Sequence, residues 1–343
     1  MKKSVKVVLI VAASLFCAGL VIGTTALALV HFDFSRLNAA IPFGETQNAQ
    51  ALKAERVDKT LENDGKDVIF NLSSAEVVIL PSPDDKIHLS YDNTETIYFE
   101  LEETENEIRL QQKTAGTGHL WFVFNFNSEP HYDVNLLLPK AYAGALDLSS
   151  TSGGVNLCDL AFEGDVRIEL TSGEIVLENV AAKTIFANGT SGSIELNNLK
   201  TDSVTATSTS GDVTVCGALE STQVEASSTS GEVEIRNVKT EVLNLGTLSG
   251  SMDVENVTCT KADISGTSGE IELTRFDGSD VNIESVSGDV DGTILGSPAD
   301  YTVYTNTVSG GNNLSGHREK GEKMLNISTV SGEIEVYFEA RVN

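Results

Sequence analysis

Carboxylate side chains recur at a fixed spacing through the second half of the sequence, and carboxylate oxygens are preferred ligands of Ca²⁺. Four consecutive repeats carry, at the same position, Glu234, Asp253, Glu272 and Asp291. A column two positions earlier holds Glu174, Asp212, Glu232, Glu270, Asp289 and Glu333. Their functional interpretation is weak divalent-cation binding or docking of a basic partner. The structural interpretation, a solvated face that keeps a repetitive chain soluble, is favoured, and the calcium-binding nonapeptide with paired glycines is absent.

No residue pattern predicts a catalytic site. The histidines are scattered, at His31, His88, His119, His131 and His317. The sequence has no recognisable Ser/His/Asp order, glycine-rich phosphate loop or metal-binding helix motif. Paired carboxylates are too plentiful to single out a glycosidase pair. We therefore predict a protein that is not an enzyme, with no catalytic residues and no cofactor.

Three further groups of residues have a functional and a structural interpretation. Cys17, Cys158, Cys216 and Cys259 are too few and too irregularly spaced for a disulfide framework or a zinc site, so they are predicted to be fillers. Threonines from Thr151 to Thr229 form a row that could bind sugars or ice, although β-turns need the same residues. The aromatic segment 119–126 is predicted to be a buried cap strand rather than an exposed contact strand.

Composition excludes several classes of protein. The chain of 343 residues has 50 acidic and 23 basic residues, and its formal net charge of −27 repels nucleic-acid phosphates. The apolar fraction of 40% is too high for a disordered acidic chain. Aromatic residues make up only 6%, which favours many thin, similar β layers over large globular cores.

Ser-Gly pairs mark an internal repeat with a period of 19–22 residues. The repeat glycines are Gly153, Gly173, Gly192, Gly211, Gly231, Gly250, Gly269, Gly288, Gly310 and Gly332. Nine of the ten residues two positions after these glycines are apolar, and so are nine of the ten residues four positions after them, as in Ile175 and Leu177. A second alternating strand precedes each glycine. Alternation with a period of two predicts strands with one buried face.

The two corners of each repeat have distinct sequence signals. Thr-Ser-Gly forms the first, because glycine tolerates sharp turns. The second is marked by Asp159, Asn179, Asn198, Gly217, Asn237 and Asn256, residue types that accept the left-handed conformation. The following column is predicted to point inward and contains Leu160, Val180, Leu199, Ala218, Val238, Val257, Phe276 and Leu295.

These units cannot fold alone, so we predict an all-β fold, a single-stranded β-solenoid of coils of 19–22 residues stacked with parallel strands. Residues 146–343 are the regular repeats, and residues 67–145 are an irregular N-terminal part or cap with strands of their own. Residues 31–66 are predicted to be a juxtamembrane linker, with a short helix near 47–56. The final strand, 333–340, is predicted to end the stack, with Arg341 protecting its exposed edge.

The N-terminus predicts the compartment. Lys2, Lys3 and Lys6 precede an uncharged stretch of 24 residues, 7–30, which is long enough for a transmembrane α-helix. The charge order predicts a cytoplasmic tail, 1–6, and a single-pass signal anchor in the cell membrane, with the solenoid extracellular. A signal peptide cleaved after Ala28 is the alternative. A lipoprotein at Cys17 is discounted because Phe16 replaces the usual small residue.

The Thr-Ser-Gly-Glu/Asp-Ile/Val-x-Leu/Val unit, as in 171–177 and 229–235, resembles the bacterial "putative adhesin" β-strand-repeat family, also called the toastrack domain. The resemblance covers about residues 67–340 and includes the segment 75–81. It implies a membrane-attached extracytoplasmic β-solenoid of unknown function, often associated with envelope-stress systems. It implies no catalytic residues.

The expected function is that of a noncatalytic interaction or adhesion module in a bacterial envelope. Besides the membrane, its expected partners are an envelope membrane protein, a sensor or a wall polymer, and nucleic acid is excluded. The sequence leaves the oligomeric state open. The alternative is a polysaccharide-active β-solenoid enzyme, lyase or glycosidase-like, which usually needs a groove that mixes acids with Lys or Arg.

Overall fold

The structure, a computed structural model, describes residues 54–115, 133–317 and 320–341. The predicted tail, membrane anchor, most of the linker and the aromatic segment 119–126 lie outside these residues. Among the described residues, no helix combines the length and the apolar character that a membrane span requires. Apart from one 3-10 turn, Pro298–Asp300, the elements are strands, so the predicted all-β solenoid is confirmed for this part of the chain.

The first seven strands form the irregular part. They are β1 Glu55–Leu61, β2 Asp67–Ser74, β3 Glu76–Pro81, β4 Ile87–Asn93, β5 Ile97–Glu103, β6 Glu107–Thr114 and β7 Asp133–Leu138. Strands β2 to β6 match the short strands predicted between residues 67 and 112. Strand β1 lies inside the predicted linker and overlaps the end of its predicted helix. Its partly buried Val57 and Leu61 pack against the core, which explains why this segment joins the sheet.

The regular part contains eighteen strands. Their bounds are β8 Ala141–Tyr142, β9 Leu146–Ser152, β10 Val155–Cys158, β11 Ala161–Phe162, β12 Val166–Ser172, β13 Ile175–Glu178, β14 Thr184–Ser191, β15 Ile194–Asn197, β16 Ser203–Ser208, β17 Val213–Ser228, β18 Val233–Thr247, β19 Met252–Glu255, β20 Thr258–Gly266, β21 Ile271–Ser285, β22 Val290–Leu295, β23 Tyr301–Thr307, β24 Lys323–Thr329 and β25 Ile334–Glu339.

Stacked strands build two long walls, joined at the Thr-Ser-Gly corner. The wall of strands that precede this corner, called the upstream wall, runs β5, β6, β2, β9, β12, β14, β16, β17, β18, β20, β21, β24, β23. The downstream wall runs β1, β4, β7, β3, β10, β13, β15, β17, β18, β19, β21, β22, β25. Long strands such as β17 bend and contribute to both walls.

Apolar columns inside the walls form one continuous core. The predicted inward positions two residues after the repeat glycines are buried, as at Val155 and Ile334, except at Asn312, which is partly exposed. Each layer covers the apolar face of the next, so no layer is stable alone. Two predicted anchors were wrong. Leu219 and Ile294 are buried in place of Ala218 and Leu295, because the register shifts at a bulge in each of those layers.

The second corner has the predicted left-handed backbone, whereas at the first corner five of the ten repeat glycines have a positive φ. At the second corner Asp159, Asn179, Asn198, Asn237 and Asn256 have φ between 52° and 57°, in the left-handed region. The side chains stack as a ladder, in which Asn179 Nδ2 donates to Asp159 Oδ1 at 2.9 Å. Sequence reasoning missed Arg275, which continues the row with φ 55°. Its Nε donates to Asn256 Oδ1 at 3.1 Å, so an arginine extends the asparagine ladder.

The layers at both ends are stacked out of sequence order. At the C-terminal end, the layer of β24 and β25 lies between the layer of β21 and β22 and the outermost strand β23. At the N-terminal end, β2 lies between β6 and β9, and β3 lies between β7 and β10. The expectation that the strand ending near Ala340 closes the stack was therefore wrong for the upstream wall, where β23 is outermost.

Candidate functional site

The predicted acidic column is assembled on the outside of the downstream wall. Glu234 pairs in register with Asp253, Asp253 with Glu272, and Glu272 with Asp291. The next layer in space adds Glu335, which stands three residues after Gly332 just as the other four stand three residues after their repeat glycines. Adjacent strands lie about 4.8 Å apart, so the five carboxylates form a row of closely spaced like charges.

The second acidic column lies beside the first, and several of its carboxylates bind the next layer. The Glu232 N–H donates to Asp212 Oδ1 at 2.8 Å, and the Glu333 N–H donates to Asp289 Oδ1 at 2.7 Å. The Ser193 hydroxyl donates to Glu174 Oε1 at 3.1 Å. These contacts satisfy backbone and side-chain donors between layers. A structural role in stacking thus accounts for part of this column.

Arg236 partly neutralises the acidic row. Among the described residues it is the basic side chain that contacts this row. Its guanidinium contacts Glu234, lies 2.9 Å from Asp253 and 3.3 Å from Glu255. The hydrogen bond to Asp253 raises the pKa of Arg236. The charge of Glu234 and Asp253 is therefore compensated, whereas the row beyond them is not paired with any described basic residue.

Asp291 is a carboxyl group of this row with a raised pKa. Burial, followed by the neighbouring charges of Glu270 and Asp289, raises the pKa of the Asp291 carboxyl to about 6. Glu335 adds to the effect. As the pH falls from neutral towards 6, the Asp291 carboxylate therefore begins to accept a proton.

The four cation-binding candidates form a row rather than a closed ligand shell. Within residues 54–115, 133–317 and 320–341, no three His, Cys, Asp or Glu side chains converge on a point where a metal ion would be held. A calcium ion takes six to eight oxygen ligands around one centre, as a rule. Cation binding by Glu234, Asp253, Glu272 and Asp291 stays a prediction.

The outside of the upstream wall has a different chemistry. Its outward columns are rich in hydroxyl and amide side chains, which hydrogen-bond from layer to layer. Thr207 donates to Asn188 at 3.1 Å, and Asn326 donates to Asn282 at 2.7 Å. The Thr-Ser-Gly corner beside this wall changes along the rod. Exposed threonines from Thr151 to Thr229 give way to a mostly apolar row that includes Leu248, Val286, Val330 and Val308.

Sequence reasoning missed a cluster of acid and base groups near the C-terminal end. Asp277 lies 2.6 Å from Lys323 Nζ and 2.8 Å from Arg341. The nearby Tyr301 hydroxyl donates to the Gly278 carbonyl at 3.1 Å, and burial raises its pKa above the usual range. Because Asp277 is compensated twice and Tyr301 is held protonated, the cluster binds neighbouring segments together rather than providing an acid–base pair. Arg341 thus pairs with Asp277 and does not cover the outermost strand.

Two cavities, each of about 470 Å³, lie near opposite ends of the stack. One adjoins the acid–base cluster and is lined by Asp300, Phe338 and Arg341. The other contains His88, whose Nε2 lies 2.9 Å from Asp84 Oδ1 and whose Nδ1 lies 3.2 Å from the Thr60 hydroxyl. Thr60 and His88 are a cross-strand pair of β1 and β4, so this Asp–His–Thr series joins the edge strand to the turn before β4.

The described cysteines, Cys158, Cys216 and Cys259, are free thiols. Cys158 and Cys216 are half-buried, and Cys259 is buried. Burial is the main cause that raises the pKa of all three thiols, to about 12 for Cys259. A raised thiol pKa makes a reactive thiolate scarce.

The stacked parallel layers define this part of the chain as a β-solenoid. The family model described as Toastrack DUF4097 matches residues 66–218 and 197–342. The chain belongs to this family, which confirms the resemblance seen in the repeats. A comparison with curated proteins finds no match.

Solved structures of bacterial proteins give distant likenesses. A "putative adhesin" from Parabacteroides distasonis is 11% identical, with 83% of this chain and 98% of that chain covered and a TM-score of 0.42. A "putative lipid binding protein" from the same organism is 13% identical, with 85% and 98% covered and a TM-score of 0.40. A "putative cell adhesion protein" from Clostridium sporogenes is 11% identical, with 84% and 100% covered and a TM-score of 0.21. At these TM-scores the likenesses carry no argument.

Proposed function

We propose that the chain is a noncatalytic interaction module of a bacterial envelope, anchored in the cell membrane by residues 7–30 with its solenoid outside. Membership of the Toastrack family, a domain of unknown function, supports a module built from one repeated layer. Lys2, Lys3 and Lys6 before the uncharged stretch support a cytoplasmic N-terminus and a single membrane pass.

The observation that carries the proposal is the in-register pairing of strands along each wall. Strand pairing holds outward side chains such as Glu234, Asp253 and Glu272 in straight columns across successive layers. A rigid surface of this kind suits contact with a broad or extended partner, because its side chains are positioned before binding. The partner would be an envelope membrane protein, a sensor or a wall polymer, in adhesion or in envelope-stress signalling.

In vivo photo-cross-linking tests this proposal. A photoreactive residue replaces Glu272 on the downstream wall or Thr205 on the upstream wall, in the full chain and in intact cells. We expect light-dependent adducts with an envelope protein or wall polymer from at least one wall. Unirradiated cells are the control. Adducts with cytoplasmic proteins, or the absence of adducts with any envelope component from either wall, would count against the proposal.

A further inference from the structure

The outermost strand at the C-terminal end has an open edge. Strand β23 pairs in parallel with β24, from Tyr301 opposite Lys323 to Thr307 opposite Thr329. Among the described strands, β24 is the one that pairs in register with β23, which leaves the opposite edge of β23 open. An open edge presents unpaired backbone N–H and C=O groups, which can accept a further strand.

The open edges at the other end carry charges that discourage pairing, and β23 carries none. Edge strand β1 contains Glu55, Arg56, Asp58 and Lys59, and edge strand β5 contains Glu100, Glu102 and Glu103. The sequence of β23 is YTVYTNT, and residues 301–317 contain no Asp, Glu, Lys or Arg in a chain of net charge −27. Uncharged strands rich in β-branched and aromatic residues, without proline, have a strong tendency to pair.

Large apolar side chains are exposed beside this edge. Tyr304 is 57% exposed in the middle of β23, on the outside of the upstream wall. Val308, directly after the strand, is 76% exposed, and Val330 in the layer beneath is 48% exposed. The terminal layer therefore combines an open edge, no charge and apolar side chains in water, and each of these favours burial against another β layer.

We propose that the occupant of this edge is strand β23 of a second copy of the chain, paired antiparallel across a two-fold axis. A pairing centred on Tyr304 sets the two Tyr304 rings beside each other and Thr302 opposite Asn306. Aromatic pairs and hydroxyl–amide pairs are favourable across strands. The contact is self-complementary and closes at two copies. Charge favours this end, because side-by-side contact would bring the acidic walls of two rods together.

A charge swap at Tyr304 tests the dimer. The full chain in detergent, the Tyr304→Glu variant and the Tyr304→Lys variant are compared by sedimentation velocity over a range of concentrations. We expect a wild-type dimer, and a dissociation constant raised at least about tenfold in each variant, because equal charges meet at the axis. An equimolar mixture of the two variants should restore the dimer, since Glu then faces Lys.

Tyr337 provides the matched control. It is 56% exposed on β25 of the downstream wall, so Tyr337→Glu and Tyr337→Lys change the same side chain at the same end and should leave the dimer intact. A monomeric wild-type chain would overturn the proposal. A dimer that persists in both Tyr304 variants would also overturn it, because the contact would then lie elsewhere. A mixture of the two variants that does not restore the dimer would overturn it as well, because the two Tyr304 positions would then not face each other.

Discussion

The side-chain amide of Gln112 replaces a strand beside Ser74. Its Oε1 accepts from the Ser74 N–H at 2.8 Å, and its Nε2 donates to the Ser74 carbonyl at 3.0 Å. Oε1 also accepts from the Ser73 N–H at 2.7 Å. At the opposite end, the Asn313 amide makes the same two-way contact with the backbone of Val336. Side-chain amides thus satisfy the backbone where layers stop stacking.

Loss of the Gln112 amide is predicted to destabilise the fold. Gln112→Ala removes the acceptor of two backbone N–H groups at a position that is 9% exposed. We expect the free energy of unfolding to fall by about 2–3 kcal/mol, because the Ser73 and Ser74 N–H groups lose their acceptor and stay partly buried. Urea denaturation followed by circular dichroism measures it. Gln111→Ala, on the outward side of the same strand, is the control, and an equal effect of both substitutions would contradict the strand-replacement role.

A methyl group at a corner glycine is predicted to disrupt stacking. A Cβ on Gly269, at φ +128°, would collide with the backbone carbonyl of Gly250 in the layer below. We expect Gly269→Ala to lower the free energy of unfolding by at least about 2 kcal/mol, from backbone strain and overpacking. Thermal denaturation of Gly246→Ala is the comparison, because a Cβ there meets its nearest atoms at 3.7 Å. Similar losses for both variants would argue against close corner stacking.

Arg236 is predicted to stabilise the acidic wall. Arg236→Gln leaves Glu234, Asp253 and Glu255 without their described cation. The side chain is 43% exposed, so we expect a loss of only about 1 kcal/mol at neutral pH and low salt. The loss should shrink in 1 M salt, because the Debye length there is only about 3 Å and the charges are screened. Denaturant titrations at two salt concentrations measure this, with Lys261→Gln on the upstream wall as control, and a salt-independent loss would contradict the electrostatic account.

Asp291 is predicted to make stability depend on pH. The folded protein raises the pKa of Asp291 to about 6, whereas an unfolded aspartate titrates at about 4. Because the folded state holds the proton more tightly, this residue's contribution to stability falls as pH rises through that window. Asp291→Asn should therefore raise the melting temperature at pH 7 and have little effect at pH 4. Glu225→Gln is the control, and an equal gain at both pH values would show that charge is not the cause.

The regular layers could be predicted from the sequence, whereas their order at the ends could not. Inward residues such as Ile175 and Leu177 alternate, so periodicity identifies their buried face. The units around Gly310 and Gly332 share the alternating strand before the glycine, although Asn312 replaces the apolar residue two positions after Gly310. Layers with the same alternation can stack on one another in more than one order. Their order depends on the path of the connecting segments 296–300 and 312–322, which periodicity does not encode.

The same limit applies to the candidate site. Equal spacing after the repeat glycines predicts that four carboxylates align, and the structure pairs them in register: Glu234, Asp253, Glu272 and Asp291. The contact of Asp277 with Lys323 joins residues 46 positions apart through the layer that is out of order. No sequence signal identified that contact. The Arg236 contacts were predictable in principle, because residues two apart on a strand share a face.

The membrane topology tests the central claim, an anchored rod outside the cell membrane, most directly. Single cysteines are introduced by Ser4→Cys in the predicted tail and Thr209→Cys at an exposed corner, in a chain whose four native cysteines are replaced by alanine. A membrane-impermeant maleimide is then applied to right-side-out membrane vesicles. The account predicts labelling at position 209 in intact vesicles and at position 4 only after the vesicles are opened. Labelling at position 4 in intact vesicles, or protection of position 209, would contradict it.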